Sequence, residues 1–351
     1  MSAHIDLYDR DFIQDPYPVL KAMRETAPLI YDEPSNLWLV TRHEDVRACL
    51  RDRRLGRVYD HLATAEEIGA TPRDPRWAPF WQVERYSLLE LEPPDHTRLR
   101  RLVSKAFTVR AVEAMRDPAR SIATALLANL AEEGEIDLLG DFAQPYSISI
   151  ITGLLGVPDA DHQQLLSWSH DMVKMYELNT SGQQAQRAAD AAAAFDAYVR
   201  DVIQIHRKEP RGGIVGDLVH AEVDGERLTD REVMLTTTMF VVAGVESLSS
   251  FMSVFALNLA EHDEARRRIA AQPDLMPQAI EESLRFNTSA QRFKRTATRD
   301  VELHGQVISE GDAVVLAYGA ANRDERKFPE ADRFDIDRNP RGHLGFGTGK
   351  H

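Results

Sequence analysis

Glu246 and Ser247 stand in Ala243-Gly244-Val245-Glu246-Ser247, within an apolar run from Met234 to Ala260 whose only charge is that glutamate. An acid beside an alcohol can hold and pass protons. A mid-helix glycine costs about 1 kcal/mol relative to alanine and a lone carboxylate is costly to bury, so both demand a reason. Ser247 also has a plainer use, because a buried serine can bond back to the carbonyl four residues earlier, here Ala243. His96 and Arg100 are four apart; on a helix they share a face and can reach one anionic group, or form an ordinary surface pair. Arg98, Arg101 and Lys105 make a basic stripe on another side of that segment, suited either to docking an acidic protein or to solvation. Glu282 and Arg285 set a carboxylate and a guanidinium on one helical face, where a charge-assisted pair can form. Four other Glu-x-x-Arg steps begin at Glu44, Glu113, Glu264 and Glu330, so spacing alone says little. The sequence ends on a glycine-spaced loop, Phe346-Gly347-Thr348-Gly349-Lys350-His351.

The elements that must position these residues are mostly helical. Pro94–Phe107, Val112–Glu133, Gln144–Leu155, Asp161–Leu178 and Gln183–Lys208 carry helical patterns, broken at proline and glycine clusters. Thr229-Asp230-Arg231-Glu232 matches a capping box at the start of the long apolar helix. That helix is long enough to cross a bilayer, but its threonines, serines and acidic flanks favour burial within a large soluble protein. A further helix is expected from about Pro277 to Phe286. Leu29–Tyr31 and Leu37–Val40 flank Pro34-Ser35-Asn36 as a hairpin, and Val301–Ile308 and Ala313–Leu316 look like short strands. The expectation is a mainly α protein with a small β portion (α+β) drawn from both ends of the chain, forming one domain over residues 1–351.

With 351 residues, 42 Lys+Arg against 56 Asp+Glu and a net charge of -14, a sizeable core is possible and nucleic-acid binding is disfavoured. The N-terminus lacks a signal-peptide pattern, so the expected location is cytoplasmic, without a membrane partner. The single cysteine, Cys49, excludes intrachain disulfides and multi-cysteine zinc sites, and is expected to be a small buried hydrophobe.

Taken in order, Glu92–Arg100, Ala243–Ser247, Glu282–Arg285, Arg295-Thr296-Ala297, the Asn322–Phe334 stretch and Phe346–His351 resemble the cytochrome P-450 superfamily, in its bacterial soluble haem-thiolate monooxygenase class. The resemblance covers almost the whole chain. It implies haem b, dioxygen, a small apolar organic substrate and electrons from a ferredoxin or flavodoxin with an NAD(P)H reductase. His96, Arg100, Arg295 and His351 then contact the haem propionates, with Phe346, Gly347, Gly349 and His343 in the cofactor loop. Ala243 and Gly244 leave room for oxygen on the distal side, where Glu246 and Ser247 organise proton delivery; serine stands where threonine is commoner. Glu282, Arg285 and Arg333 form a structural charged triad. Substrate contacts map to Thr237 and Phe240, to Thr288 and Ala290, and to the loop Val58–Leu91 with Trp77, Phe80, Trp81 and Tyr86. The axial cysteine is expected beyond His351, so the chain as written is expected to be incomplete at the C-terminus, with a truncated, non-catalytic polypeptide as the alternative.

Overall fold

In the computed structural model, residues 9–57, 73–131, 134–177, 180–209 and 212–350 are described. The chain divides into a unit of residues 1–71 and 251–351 and a unit of residues 72–250.

The first unit is built on a five-stranded sheet in the order β1-β2-β9-β6-β3. Its strands are β1 (Leu29–Asp32), β2 (Leu37–Val40), β3 (Leu55–Gly56), β6 (Phe293–Ala297) and β9 (Ala313–Leu316). The hairpin β1-β2 is antiparallel, with Leu29 opposite Val40, and Asn36 takes the left-handed conformation in its turn. β2 then runs parallel to β9, Val40 beside Leu316, which joins the two ends of the sequence in one sheet. Leu29, Trp38, Val40, Val314 and Leu316 bury their side chains in one apolar cluster together with Cys49. The expected strand Val301–Ile308 is instead a hairpin of β7 (Val301–Leu303) and β8 (Gln306–Ile308). His304 and Gly305 both take positive φ there, so the chain reverses inside the run. A second apolar cluster joins Ala279 and Phe286 of the Met276–Phe286 helix to Phe334 and Ile336.

The second unit is helical apart from the short hairpin of β4 (Glu222–Val223) and β5 (Glu226–Arg227). Its core packs the helices Asp95–Ala106, Gln144–Leu155, His162–Val173 and Gly182–Lys208 with residues 233–245 of the long helix Asp230–Glu261. The capping box forms as read: Thr229 Oγ1 accepts from the Glu232 N–H at 3.2 Å, and Glu232 Oε2 accepts from the Thr229 N–H at 2.8 Å. Val112–Glu133 is divided into the helices Val109–Glu113 and Arg116–Leu130. Phe80, expected near substrate, is a core residue, edge-on to Trp81 and Tyr176. Part of its loop, residues 58–72, lies outside the described residues. The long helix has the length and hydropathy of a membrane span. Residues 233–239 are buried throughout, whereas Ala243, Ser247, Ser250 and Leu257 are exposed, so burial is confined to part of the helix.

Candidate active site

Glu282 and Arg285 are both fully buried, one turn apart on the Met276–Phe286 helix. Arg285 Nε and Nη2 donate to Glu282 Oε2 and Oε1 at 2.8 and 2.7 Å, and Nη1 donates to the carbonyls of Asn322 and Ala331, each at 2.9 Å. Glu282 Oε1 also accepts from the Asp335 N–H at 2.9 Å and from Arg338 Nε at 3.1 Å. A buried carboxylate is tolerable only with such a donor set. The third arginine is therefore Arg338, correcting the expectation of Arg333. Arg333 has a side chain 63% exposed and pairs at 3.5 Å with exposed Glu330; only its carbonyl takes part, accepting from Arg285 Nη2 at 3.2 Å. The reason lies in packing: Phe334 and Ile336 are held in the apolar cluster, and the turn closed by the Arg338 N–H on the Asp335 carbonyl brings Arg338 back to Glu282. The step Glu113–Arg116 is, by contrast, an exposed helical pair.

This anchor supports the glycine loop. Leu344 N–H donates to Asn322 Oδ1 at 2.6 Å, and the Gly345 N–H to His343 Nδ1 at 3.1 Å. Nε2 of His343 lies 3.0 Å from Glu281 Oε2, so this histidine braces the loop. Gly347 and Gly349 hold φ of 65° and 101°, and a Cβ on Gly349 would stand 2.6 Å from the Leu50 carbonyl oxygen. Phe346 projects outward, 79% exposed. Beside the loop is a cavity of about 490 Å³ lined by His43, Arg47, Arg51, Lys327 and His343 together with Gly342, Leu344, Gly347 and Thr348, and, among the described residues, by no carboxylate. His351 lies outside the described residues. Arg295, on β6, is buried. Burial pushes the Cys49 thiol up to about 12, which removes it as a thiolate at neutral pH. Thr288 is buried with no hydrogen-bond partner for its hydroxyl, and Ala290 lines a mostly apolar cavity of about 510 Å³ with Phe12, Leu20, Leu39 and Gln291.

In the second unit, His96 is buried and Arg100 exposed on the Asp95–Ala106 helix. The basic stripe is largely neutralised within the unit: Arg98 pairs with Glu232, and Arg101 with Asp224 at 2.8 Å and Glu226 at 2.6 Å. The β4-β5 hairpin supplies the last two acids, a pairing that helical spacing cannot reveal. On the long helix Ala243 and Ser247, four apart, are both exposed. A Cβ at Gly244 would stand 2.5 Å from Ile151 Cδ1. Its missing side chain lets the Gln144–Leu155 helix approach. Ser247 Oγ reaches the Gly244 carbonyl only at 3.5 Å, and it is Ser249 that bonds back four residues, to Val245 at 2.8 Å. Thr237 is buried, and Phe240 packs on Phe107 with ring centroids 5.2 Å apart.

Glu246 has a partner the sequence did not disclose. His170 Nε2, on the His162–Val173 helix, lies 3.4 Å from Glu246 Oε1, within ion-pair reach but outside hydrogen-bond geometry. Burial raises the Glu246 carboxyl above the usual glutamate range, and the charges of His170 and Lys174 oppose that rise. A lone histidine on an amphipathic helix gives no sequence signal that sets it opposite a glutamate so distant in the chain.

A model of the cytochrome P450 family matches residues 61–351. The chain belongs to the cytochrome P450 family. It is 39% identical over 335 residues to mycinamicin IV hydroxylase/epoxidase of Micromonospora griseorubida, covering 94% of this chain and 80% of that one. It is 37% identical over 338 residues to nocardicin C N-oxygenase of Nocardia uniformis subsp. tsuyamanensis, covering 93% and 81%. Among solved structures, CalO2 superposes with a TM-score of 0.90 at 30% identity, covering 99% of this chain and 85% of that one. The fold is thus the α+β cytochrome P450 fold, and the chain is a P450 of the haem-thiolate monooxygenase class, an oxidoreductase whose family uses haem, dioxygen, an organic substrate and a redox partner. Among the described residues no cluster of three or more His, Cys, Asp or Glu side chains could hold a further metal ion.

Proposed function

We propose that this P450 inserts one atom of dioxygen into an apolar organic small molecule, by hydroxylation, epoxidation or demethylation, in the cytoplasm, with Glu246 and Ser247 as its proton-handling pair. The observation that carries this reading is the long helix itself: an exposed face of Ala243 and Ser247, with a half-buried carboxylate between them in sequence. Taken unit by unit, the chain carries groups that suit a haem. In the first unit positive-φ glycines hold the Leu344–Gly349 loop close to Leu50 and Arg295 is a cationic candidate for a propionate. In the second unit His96 and Arg100 are candidates of the same kind, and His351 is a fourth. When bound, the haem would supply oxygen activation.

The chain's own residues then do the rest. Glu246, whose affinity for a proton is raised by burial, can take up a proton that Ser247 Oγ can relay, because the hydroxyl is not committed to a short backbone bond. Glu282, Arg285 and Arg338 hold the segment that carries the glycine loop. Thr237, Phe240, Thr288 and Ala290 are the substrate-contact candidates, all apolar or neutral. The hydroxylase, epoxidase and oxygenase names of the relatives support oxygen insertion as the reaction. The electron donor, a ferredoxin or flavodoxin, docks on Arg47, Arg51 and Lys327 beside the loop, where no described carboxylate lines the cavity, in preference to the largely neutralised Arg98 stripe.

The test is coupling in the haem-loaded enzyme. Ser247→Ala should raise the hydrogen peroxide released per NAD(P)H consumed, and unchanged coupling would remove Ser247 from the mechanism.

A further inference from the structure

Glu246 is the only charge in the run Met234–Ala260, and three features of its surroundings concern a proton. Among the described residues its Oε1, sealed from solvent, has no hydrogen-bond partner, so no described donor competes for the atom. His170 Nε2, at 3.4 Å, is also sealed and also has no hydrogen-bond partner among the described residues. The histidine side chain as a whole is 35% exposed, so another edge of the same ring meets water. An imidazole with one nitrogen against a buried carboxylate and another edge wet can take a proton from solvent on one side and release it on the other.

We propose that His170 is the positioning residue for Glu246: it holds the carboxylate by charge from the neighbouring His162–Val173 helix and resupplies it with protons from bulk water. This rests on the reading of Glu246 and Ser247 as the proton-handling pair and adds the entry point that pair needs. The step is balanced. The Nε2–H bond of the imidazolium breaks and an O–H bond forms at Glu246 Oε1, leaving neutral imidazole and a neutral carboxylic acid. After Glu246 passes its proton on, water returns one to the imidazole at its exposed edge.

The other charges that bear on Glu246 are few. Lys174, one turn beyond His170, also opposes the raised affinity of the carboxyl for its proton, but its Nζ is held by Glu177 Oε1 at 2.7 Å. Asp171, next to His170, is occupied by Arg187 at 3.2 Å. His170 is therefore the side chain set directly against Glu246, whereas the Lys174 ammonium is engaged by Glu177.

Two readouts test this. In the full chain, without any need for turnover, the Glu246 carboxyl is titrated by isotope-edited infrared or carbon NMR, with Glu246→Gln identifying its signal. His170→Gln should move the midpoint upward, because it removes a charge that favours carboxylate. His170→Arg should hold it below that of the Gln variant. An unchanged midpoint in His170→Gln would overturn the proposal. In the haem-loaded enzyme, His170→Gln and His170→Arg should both increase peroxide released per NAD(P)H by about tenfold, since neither side chain can deliver a proton; a positioned proton donor is worth at least about a hundredfold. Full coupling in His170→Arg would also overturn it, by showing that charge suffices without proton transfer. A thermal melt by circular dichroism confirms that each variant folds. Failure of the parent reading looks different: Ser247→Ala and Glu246→Gln would then leave coupling intact, whereas failure of this inference alone leaves those two uncoupled and His170 without effect.

Discussion

Arg333 and Arg338 offer the sharpest test of how the anchor is built, since sequence reasoning chose the first and the structure uses the second. Arg338 Nε bonds Glu282 Oε1 at 3.1 Å, and its Nη1 and Nη2 donate to the carbonyls of Pro329 and Glu330, the latter at 3.0 Å. Its side chain is 12% exposed against a fully buried Glu282. Breaking a buried ion pair outright costs about 3–5 kcal/mol. Here Glu282 would keep Arg285 and the Asp335 N–H, and the Glu330 carbonyl would keep the Arg333 N–H at 2.9 Å, so the loss is closer to that of one charged hydrogen bond, about 1.5–3 kcal/mol, together with the donor to the Pro329 carbonyl. We expect Arg338→Ala to lower stability by about 3 kcal/mol. Arg333→Ala removes only an exposed pair with Glu330 and should stay within about 0.5 kcal/mol of the parent. Urea denaturation followed by circular dichroism, with equal slopes for the three proteins, measures both. If Arg333→Ala is the more destabilising of the two, the assignment of Arg338 as the third arginine is refuted.

Gly244→Ala should destabilise by about 1–3 kcal/mol because its methyl group meets Ile151, and Ile151→Ala combined with it should recover most of the loss in the same denaturation assay. Gly349→Ala forces a side chain into a left-handed conformation and against the Leu50 carbonyl oxygen; strain of about 1–3 kcal/mol should appear as faster limited proteolysis of the loop. Because the Glu246 carboxyl is raised in the folded protein, the folded state binds more protons than the unfolded chain above the ordinary glutamate value, and this residue lowers stability as pH rises. Glu246→Gln should therefore be stabilising at pH 7, with the advantage shrinking below about pH 4, as read from melting temperatures across pH. His43 shows the opposite sign. Burial lowers its proton affinity, so its contribution is present above about pH 6.5 and is lost as the solution is acidified, an effect that His43→Gln should abolish.

Local pattern determined a good deal of this protein. The capping box at Thr229, the hairpin around Pro34–Asn36 and the glycine loop depend on neighbours in the chain, so residue type and spacing suffice to read them. The pairing of Glu282 with Arg285 is local too, being a matter of helical periodicity. What periodicity could not decide was which of five equivalent Glu-x-x-Arg steps is buried, since burial depends on what packs over the helix. The same limit explains the corrections. Arg338 rather than Arg333 meets Glu282 because Phe334 and Ile336 are pinned in an apolar cluster and set where the following turn points. Arg98 and Arg101 are neutralised by acids from segments far along the chain. Gly244 answers to Ile151 on another helix, and Glu246 to His170 on a third. Sequence alone specified which groups can do chemistry, because that is a property of side chains and their immediate spacing; which partner each group meets is fixed by long-range packing, and only the tertiary structure decided it.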